Sequence, residues 1–186
     1  ESQLYLIKYL CEQTDAKCPE NAINLAGMNN SIDIVKYLHE KFGYQCSVFI
    51  LNNAIDNNYH ELVKYIAMTH NIYYSEKILN YSILFNDVIF KKLYSIYEYN
   101  LPINIIDVAA EHGNYDIVKF LHQRYFKPSN IALDMASMNG YLDIVKYLIE
   151  HCECKYSTNT MDFAVRNDHK EIVKYLVNKN VPYSKN

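Results

Sequence analysis

One five-residue motif recurs along the whole chain and constrains its fold more than any other feature. It consists of two aliphatic residues, a lysine, an aromatic residue and a final aliphatic residue, as in Ile-Val-Lys-Tyr-Leu at residues 34–38. The second residues of its seven copies, one of them degenerate, are Ile7, Val35, Val63, Phe90, Val118, Val145 and Val173. A unit of 27 or 28 residues cannot bury its apolar face alone, so successive copies must stack on one another.

Each repeat has the pattern of two helices joined by a tight turn. In residues 129–156, apolar residues follow the helical period from Ile131 to Met138, and Gly140 ends the first helix. The turn position holds Asn, Asp or Gly, which tolerate a left-handed backbone. Its residues are Asn30, Asn58, Asn86, Gly113, Gly140 and Asp168. The sequence therefore predicts an all-α fold, an α-solenoid of stacked helix-turn-helix repeats with shortened loops between repeats.

The second helix of each repeat carries the five-residue motif. We expect its aliphatic residues to be buried and its lysine to face solvent. The aromatic residue is predicted to cover the neighbouring repeat and to leave its hydroxyl in water. The first helix has a small residue at its centre, at Ala26, Ala54, Ser82, Ala109, Ala136 and Ala164. A polar residue precedes it, at Asn24, Asn52, Asn80, Asp107, Asp134 and Asp162, and predicts a repeated hydrogen bond to a loop or to the adjacent repeat.

These patterns divide the chain into a partial repeat, residues 1–18, and six repeats. The repeats span about 19–46, 47–74, 75–101, 102–128, 129–156 and 157–183. We expect a single repeat array that is a segment of a longer one. The first residues lie in the second half of a repeat, and Ser184 is where another first helix is due.

Composition excludes several classes of function. The formal net charge is −3, which gives no signature of a polyanion-binding protein. No apolar run approaches the ~20 residues of a membrane-spanning helix, and no secretory signal is present. The five cysteines are an odd number in a chain too long to need disulfides, so reduced thiols and an intracellular, cytoplasmic location are expected.

No pattern of catalytic or metal-binding residues is present. There is no glycine-rich phosphate loop, and no serine or cysteine nucleophile has an identifiable base. His151, Cys152 and Cys154 form the only close cluster of metal-capable residues, but they lack the paired spacing and the fourth ligand of a structural zinc site. His39 and His122 share one helix position in separate repeats and cannot meet. We predict no enzymatic activity, no cofactor and no metal.

The repeats at 108–121 and 135–148 identify a family. Ala136, Gly140, Val145 and Leu148 resemble the alanine, glycine and valine-leucine framework of ankyrin repeats, and similar positions recur over essentially the whole chain. Two departures from the family pattern are visible. The Thr-Pro-Leu-His opening is absent, and each repeat is about five residues shorter than the usual ~33. The short form and the abundance of Asn, Ile, Lys and Tyr resemble ankyrin-like arrays of amoebae and of their large DNA viruses, in which case the location would be the host cytoplasm.

The resemblance implies a scaffold that binds another protein on its concave helical face, without catalysis. The family's variable contact positions are the two residues before the turn residue. In this sequence they are Met28, Asn29, Asp56, Asn57, Leu84, Phe85, Glu111, His112, Met138, Asn139, Arg166 and Asn167. An alternative is an adaptor or regulatory segment of a larger protein whose effector or catalytic domain lies outside this chain.

The repeat at residues 75–101, the fourth when the partial repeat is counted, is irregular and has two interpretations. Phe90 replaces a valine, Lys92 replaces the aromatic residue, and Leu84 and Phe85 replace polar contact positions. In the first interpretation Phe90 enlarges the core, Phe85 fills a shortened turn, and the two halves of the solenoid meet at a slight bend. In the second, Leu84 and Phe85 form an exposed apolar anchor for a partner.

Two more surfaces could bind ligands. Aromatic residues are dense near the loops between repeats and would either contact partners or fill the grooves between repeats. They are Phe42, Tyr44, Tyr73, Tyr74, Tyr97, Tyr99, Tyr125, Phe126 and Tyr156. The motif lysines form a ladder that could bind nucleic acid, although neighbouring acidic residues largely cancel its charge. They are Lys8, Lys36, Lys64, Lys91, Lys119, Lys146 and Lys174.

Overall fold

The computed structural model describes residues 2–13, 18–70, 75–85, 87–97 and 101–184. Within these ranges the secondary structure is helical, and no strand is present. The described helices are α1 (Ser2–Gln13), α2 (Ala22–Met28), α3 (Ile32–Phe42), α4 (Val48–Asp56), α5 (His60–Thr69), α6 (Glu76–Phe85), α7 (Asp87–Tyr97), α8 (Ile105–Glu111), α9 (Tyr115–His122), α10 (Asn130–Asn139), α11 (Leu142–Glu150), α12 (Thr158–Arg166) and α13 (Lys170–Asn178). None of them is long and apolar enough to cross a membrane.

The chain divides into two compact units. The first comprises residues 1–79 and the second comprises residues 80–186, so the boundary falls within α6. In each unit, short first helices alternate with second helices that carry the five-residue motif. The all-α fold of helix-turn-helix repeats is confirmed. The proposed boundaries of the individual repeats remain a prediction.

The predicted turn conformation is confirmed at every described turn position. The φ angles are +52° at Asn30, +57° at Asn58, +76° at Gly113, +86° at Gly140 and +57° at Asp168. Asn86 lies outside the described residues. The left-handed residue ends the first helix and allows the chain to reverse into the second helix.

The core of each unit is built from the motif's aliphatic residues and from the small residues of the first helices. In the first unit, Val35 and Val63 have no exposed surface, and in the second unit the same holds for Val118 and Val145. The small residues are at most 7% exposed. Small side chains at this position let the two helices of a repeat and the following repeat approach closely.

The predicted hydrogen bond at the polar position joins adjacent repeats at Asn24, Asp107, Asp134 and Asp162, whereas Oδ1 of Asn52 is buried without a partner among the described residues. In the first unit the backbone N–H of Ser47 donates to Oδ1 of Asn24 at 3.0 Å. In the second unit the backbone N–H and the hydroxyl of Ser129 donate to the carboxylate of Asp107 at 2.8 and 2.6 Å. The hydroxyl of Ser157 donates to the carboxylate of Asp134, and the backbone N–H of Ser184 donates to that of Asp162. A serine at the start of one first helix is therefore fixed to the preceding first helix.

The prediction that the motif's tyrosine hydroxyls remain in water is wrong for Tyr65 and Tyr147, whose hydroxyls form partly buried hydrogen bonds. The hydroxyl of Tyr65 lies 2.9 Å from Nδ1 of His39, and that of Tyr147 lies 3.0 Å from Nδ1 of His122. The hydroxyl of Tyr175 donates to Glu150 at 2.9 Å. In each case the partner belongs to the preceding repeat. The stacking register aligns the hydroxyl with the end of the previous second helix, so the tyrosine joins repeats with its polar group as well as with its ring.

Candidate partner-binding surface

The twelve predicted contact residues lie where the first helices end, on what we call the turn edge of each unit. Eleven of the twelve are exposed, and Met138 is half-buried. Met28, Asn29, Asp56 and Asn57 lie in the first unit, and the other eight lie in the second unit. The turn edge is therefore available to a partner in both units.

Four of these residues also have a structural role, which the sequence analysis did not predict. The side-chain amides of Asn29, Asn57 and Asn167 each donate to the carbonyl four residues earlier, all at 2.9 Å. These bonds close the last turn of the helix, where carbonyl groups lack an intrahelical partner. The amide of Asn139 donates to the carbonyl of Glu111 at 2.8 Å and joins two turns of the second unit. The side-chain amides of these four asparagines therefore already form hydrogen bonds within the fold.

The first unit offers a mainly polar turn edge. Met28 is 46% exposed, and Asp56 forms an ion pair with Lys77. A surface ion pair of this kind adds little to stability because water screens it. Met28 is the main apolar contact residue that this edge presents.

The second unit presents three exposed apolar residues close together in sequence at its turn edge. Leu84, Phe85 and Val88, which we call the α6–α7 patch, are 46%, 57% and 51% exposed. The expectation that Phe85 fills the shortened turn is wrong, because more than half of its side chain is exposed. Its ring contacts that of Tyr81 on one side, with a centroid distance of 5.2 Å.

The rest of the irregular repeat is packed as an enlarged core. Phe90 is fully buried, as predicted, and its ring meets the edge of Phe120 at a centroid distance of 6.2 Å. The ring of Tyr94 also packs against that of Phe120, at a centroid distance of 5.0 Å. Lys92 replaces the motif's aromatic residue, and burial lowers the pKa of its ammonium group. The two interpretations of this repeat therefore apply to different residues: Phe90 enlarges the core, and Leu84 and Phe85 remain exposed.

The patch is held in place by the repeat that follows it. The side-chain amide of Asn114 donates to the carbonyl of Ile83 at 2.8 Å, and its oxygen accepts from the backbone N–H of Ile117 at 3.1 Å. Asn114 thus caps α9 and fixes the end of α6. Glu111 and His112 occupy the corresponding positions in this next repeat, so the patch is followed by polar residues.

The lysine ladder is largely engaged with neighbouring side chains. The ammonium groups of Lys8, Lys36 and Lys146 lie over the tyrosine rings of the next repeat, 5.4 to 5.9 Å from their centroids. Those of Lys91 and Lys174 form ion pairs within their own helices at 2.8 Å. The two ion pairs offset part of the positive charge that the ladder could offer to a phosphate backbone.

The cysteine cluster has the properties of buried thiols. Burial raises the pKa of the Cys152 thiol to about 12 and that of the Cys154 thiol to about 11. A raised thiol pKa disfavours the thiolate, which is the form that binds metals. Within the described ranges, no three metal-capable side chains converge.

Of the aromatic residues near the loops between repeats, some are packed and others are exposed. Tyr44 is half-buried, stacks on Phe42 at 5.3 Å and donates its hydroxyl to the carbonyl of Cys18 at 2.6 Å. Tyr125, in contrast, is 92% exposed, and Tyr156 is 40% exposed. Tyr73, Tyr74, Tyr99 and the side chain of Tyr97 lie outside the described residues.

Comparison with known proteins identifies the family. Residues 106–186 match a family model described as ankyrin repeats, in three copies. Residues 106–186 therefore belong to the ankyrin repeat family. An ankyrin repeat protein of Acanthamoeba polyphaga mimivirus is 30% identical over 83 residues, which cover 41% of this chain and 13% of that protein. The match to this ankyrin array agrees with the resemblance to proteins of amoebae and their viruses. Ankyrin repeats generally mediate protein-protein interactions.

Proposed function

We propose that this ankyrin array is a non-catalytic scaffold that binds a partner protein along its turn edge, the concave face of the family. The contact residues would be the twelve that precede the turn residues, with Leu84 and Phe85 as the main anchors. The observation that carries the proposal is the exposure of the α6–α7 patch, where three large apolar side chains are each about half exposed. Clusters of this kind, bordered by polar residues, are typical of interaction sites.

The surroundings of the patch support its use as an anchor. The backbone of Ile83 is fixed by Asn114, and Tyr81 supports the ring of Phe85, so the patch loses little freedom on binding. Preorganisation of this kind increases affinity because fewer groups must be ordered. The polar residues Glu111 and His112 would form part of the rim around it.

A matched pair of phenylalanine substitutions tests the proposal. Phe85→Ser removes an anchor on the turn edge, while Phe49→Ser removes a phenylalanine of similar exposure, 65%, from the first turn of α4. The whole chain and both variants are immobilised, partners are captured from lysate of the source cell, and the affinity of the captured protein is then measured by titration. We expect Phe85→Ser to weaken binding by about 30-fold, as for a hot-spot residue that contributes ~2 kcal/mol. Phe49→Ser should leave the affinity unchanged.

Two results would contradict the proposal. Equal affinities of the Phe85→Ser variant and the unmodified chain would exclude the patch as the anchor. Equal losses in both variants would indicate unspecific apolar adhesion. Unchanged circular dichroism at 222 nm in both variants ensures that the comparison is made between folded proteins.

The adaptor or regulatory role remains the second candidate. The mimivirus relative is much longer than the matched segment, which covers 13% of it, so these repeats occur there within a larger protein. An adaptor would bind its partner through the same turn edge, and the effector would lie elsewhere in the chain. Expression of this segment alone would then inhibit the longer protein by competing for the partner.

A further inference from the structure

A second surface of the second unit lies on the opposite side of the repeats, where the second helices end. A groove of about 420 Å³ opens there between the loop after α9 and the loop after α11. Its lining includes His122, Lys127, His151, Cys152, Glu153 and Lys155. We call it the loop groove. None of these residues belongs to the turn edge.

The loop groove carries positive charge. Lys127 and Lys155 are exposed, and in the described part of the chain neither ammonium group forms an ion pair. Glu153 is the one carboxylate in the lining. The thiol of Cys152 stays neutral at physiological pH because burial raises its pKa to about 12. Two cations and one anion therefore give a net positive groove.

The two histidines are held at the groove by a shared tyrosine. Nδ1 of His122 lies 3.0 Å from the hydroxyl of Tyr147, and the ring of His151 packs against the ring of Tyr147 at a centroid distance of 4.9 Å. Tyr147 itself is only 8% exposed. The imidazoles are thus ordered by a buried ring and can present further polar groups to a ligand.

Tyr125 displays a strained aromatic side chain in the loop that supplies Lys127. Its φ is +68°, in the left-handed region that a bulky residue rarely adopts, and 92% of its surface is exposed. In the described residues, the other left-handed residues that follow second helices are Gly43, Glu153 and Asn180, and none of them is aromatic. The exposed ring gains almost no packing in return for the strain. Strain that packing does not explain is a reason to infer a role in binding.

We propose that the loop groove binds an acidic segment of a partner protein, with Lys127 and Lys155 pairing with its carboxylates and Tyr125 covering an adjacent apolar side chain. Charge complementarity selects this class of partner. Lysine ammonium groups and carboxylates form charge-assisted hydrogen bonds, and tyrosine supplies contact area at a low entropic cost. This surface is separate from the turn edge, so the array would have two binding faces.

A nucleic acid fits the loop groove less well than an acidic peptide. Tight binding to a phosphate backbone relies on about six to ten phosphate contacts, whereas the groove provides two lysines and also carries Glu153. A carboxylate at the site would repel a continuous row of phosphates. An acidic peptide can place its carboxylates beside the lysines and leave a polar residue near Glu153.

Fluorescence anisotropy with three labelled probes tests the proposal on the whole chain. The probes are a 12-residue peptide of glutamate and leucine in a 3:1 ratio, its lysine and leucine counterpart, and a 12-nucleotide oligothymidylate. We expect the acidic peptide to bind more tightly than the other two, and its affinity to fall as salt is raised from 50 to 200 mM, because charge pairing contributes. No binding of the acidic peptide, or tighter binding of the oligothymidylate, would overturn the proposal.

Two double variants with the same change in net charge locate the site. Lys127→Glu with Lys155→Glu should lower the affinity for the acidic peptide at least tenfold. Lys170→Glu with Lys174→Glu alters exposed lysines of α13 and should change the affinity for the acidic peptide by less than twofold. Equal losses in the two double variants would mean that the peptide responds to net charge alone, and the loop groove would be excluded. Leu84→Ser should have no effect, which keeps this test independent of the turn edge.

Tyr125→Gly separates binding from folding. Glycine adopts the left-handed conformation without strain, so the Tm of the variant should equal or exceed that of the unmodified chain. Its affinity for the acidic peptide should fall three- to tenfold. An unchanged affinity would remove Tyr125 from the site, and a fall in Tm would show that the tyrosine supports the fold.

Discussion

Gly140→Ala should destabilise the second unit through two separable effects. Gly140 has a φ of +86°, and a Cβ added there would lie 2.6 Å from Cε1 and 2.8 Å from Nδ1 of His169. That imidazole cannot move freely, because its Nε2 lies 2.9 Å from the carbonyl oxygen of Met138. The new methyl group must therefore strain the turn and displace the ring.

The expected loss is the sum of these effects. An alanine in the left-handed region costs about 1 kcal/mol relative to glycine. Displacing His169 from the Met138 carbonyl costs about 1 kcal/mol more, the usual value of a hydrogen bond in a partly buried position. We expect Gly140→Ala to lower the free energy of unfolding by about 2–3 kcal/mol, since the local repacking adds to both terms.

Urea denaturation followed by circular dichroism at 222 nm measures this loss, and two controls separate its parts. Gly43→Ala has a similar φ of +71° with no atom within 4 Å of the added Cβ, so it should cost about 1 kcal/mol, the backbone effect alone. In a His169→Ala background, Gly140→Ala should also cost only about 1 kcal/mol, because the ring is gone. Equal costs for Gly43→Ala and Gly140→Ala in the unmodified background, or no relief by His169→Ala, would refute the proposed close approach.

Three other substitutions test the contacts between repeats. Asp134→Ala removes the acceptor for the hydroxyls of Ser157 and Thr160 at the start of α12. It should lower the free energy of unfolding, measured by urea denaturation, by about 2–3 kcal/mol, because these are hydrogen bonds to a charged group. Asp134→Asn should recover part of the loss. Asn114→Ala removes the cap of α9 and its bond to the preceding repeat, and should cost about 1–2 kcal/mol in the same assay. Burial, together with the hydrogen bond to Glu150, raises the pKa of Tyr175 to about 12. Because the folded pKa lies above the unfolded value of about 10, the contribution of Tyr175 to stability is complete below pH 10 and is lost as the pH rises to about 12. Ionisation of this hydroxyl can be followed by absorbance at 295 nm, and Tyr175→Phe should abolish the part of the absorbance change that occurs near pH 12.

The sequence predicted those parts of the fold that depend on local chemistry. Asn30 and Gly140 could be assigned to left-handed turns because few residue types tolerate that backbone. Asp107 could be assigned to a hydrogen bond with a loop or with the adjacent repeat because short polar side chains readily bond nearby backbone groups. Each of these predictions uses one position and its immediate neighbours, and repetition along the chain strengthens it.

Contacts that depend on the register between helices could not be predicted. The pairing of Tyr147 with His122 requires knowing which turn of one second helix lies beside which turn of the next, and the spacing of the motif does not give this. The loop groove likewise joins Lys127 and Lys155, which are 28 residues apart in a part of the repeat with no regular pattern. The sequence contains the residues that form the tyrosine–histidine pair and the loop groove, but it does not show how they are placed relative to one another.

Departures from the repeat pattern can be sorted by what the side chain gains from its position. Phe90 replaces a valine and is fully buried, so packing explains it. Phe85 stands where the other repeats carry Asn or His, and both Phe85 and Leu84 remain about half exposed, so packing explains only part of their presence. Tyr125 occupies a position suited to glycine or asparagine, and its side chain is almost entirely exposed. The other repeats fold with different residue types at these positions, so the fold does not require the exposed side chains of Leu84, Phe85 and Tyr125. Their exposure supports the two binding surfaces that we propose.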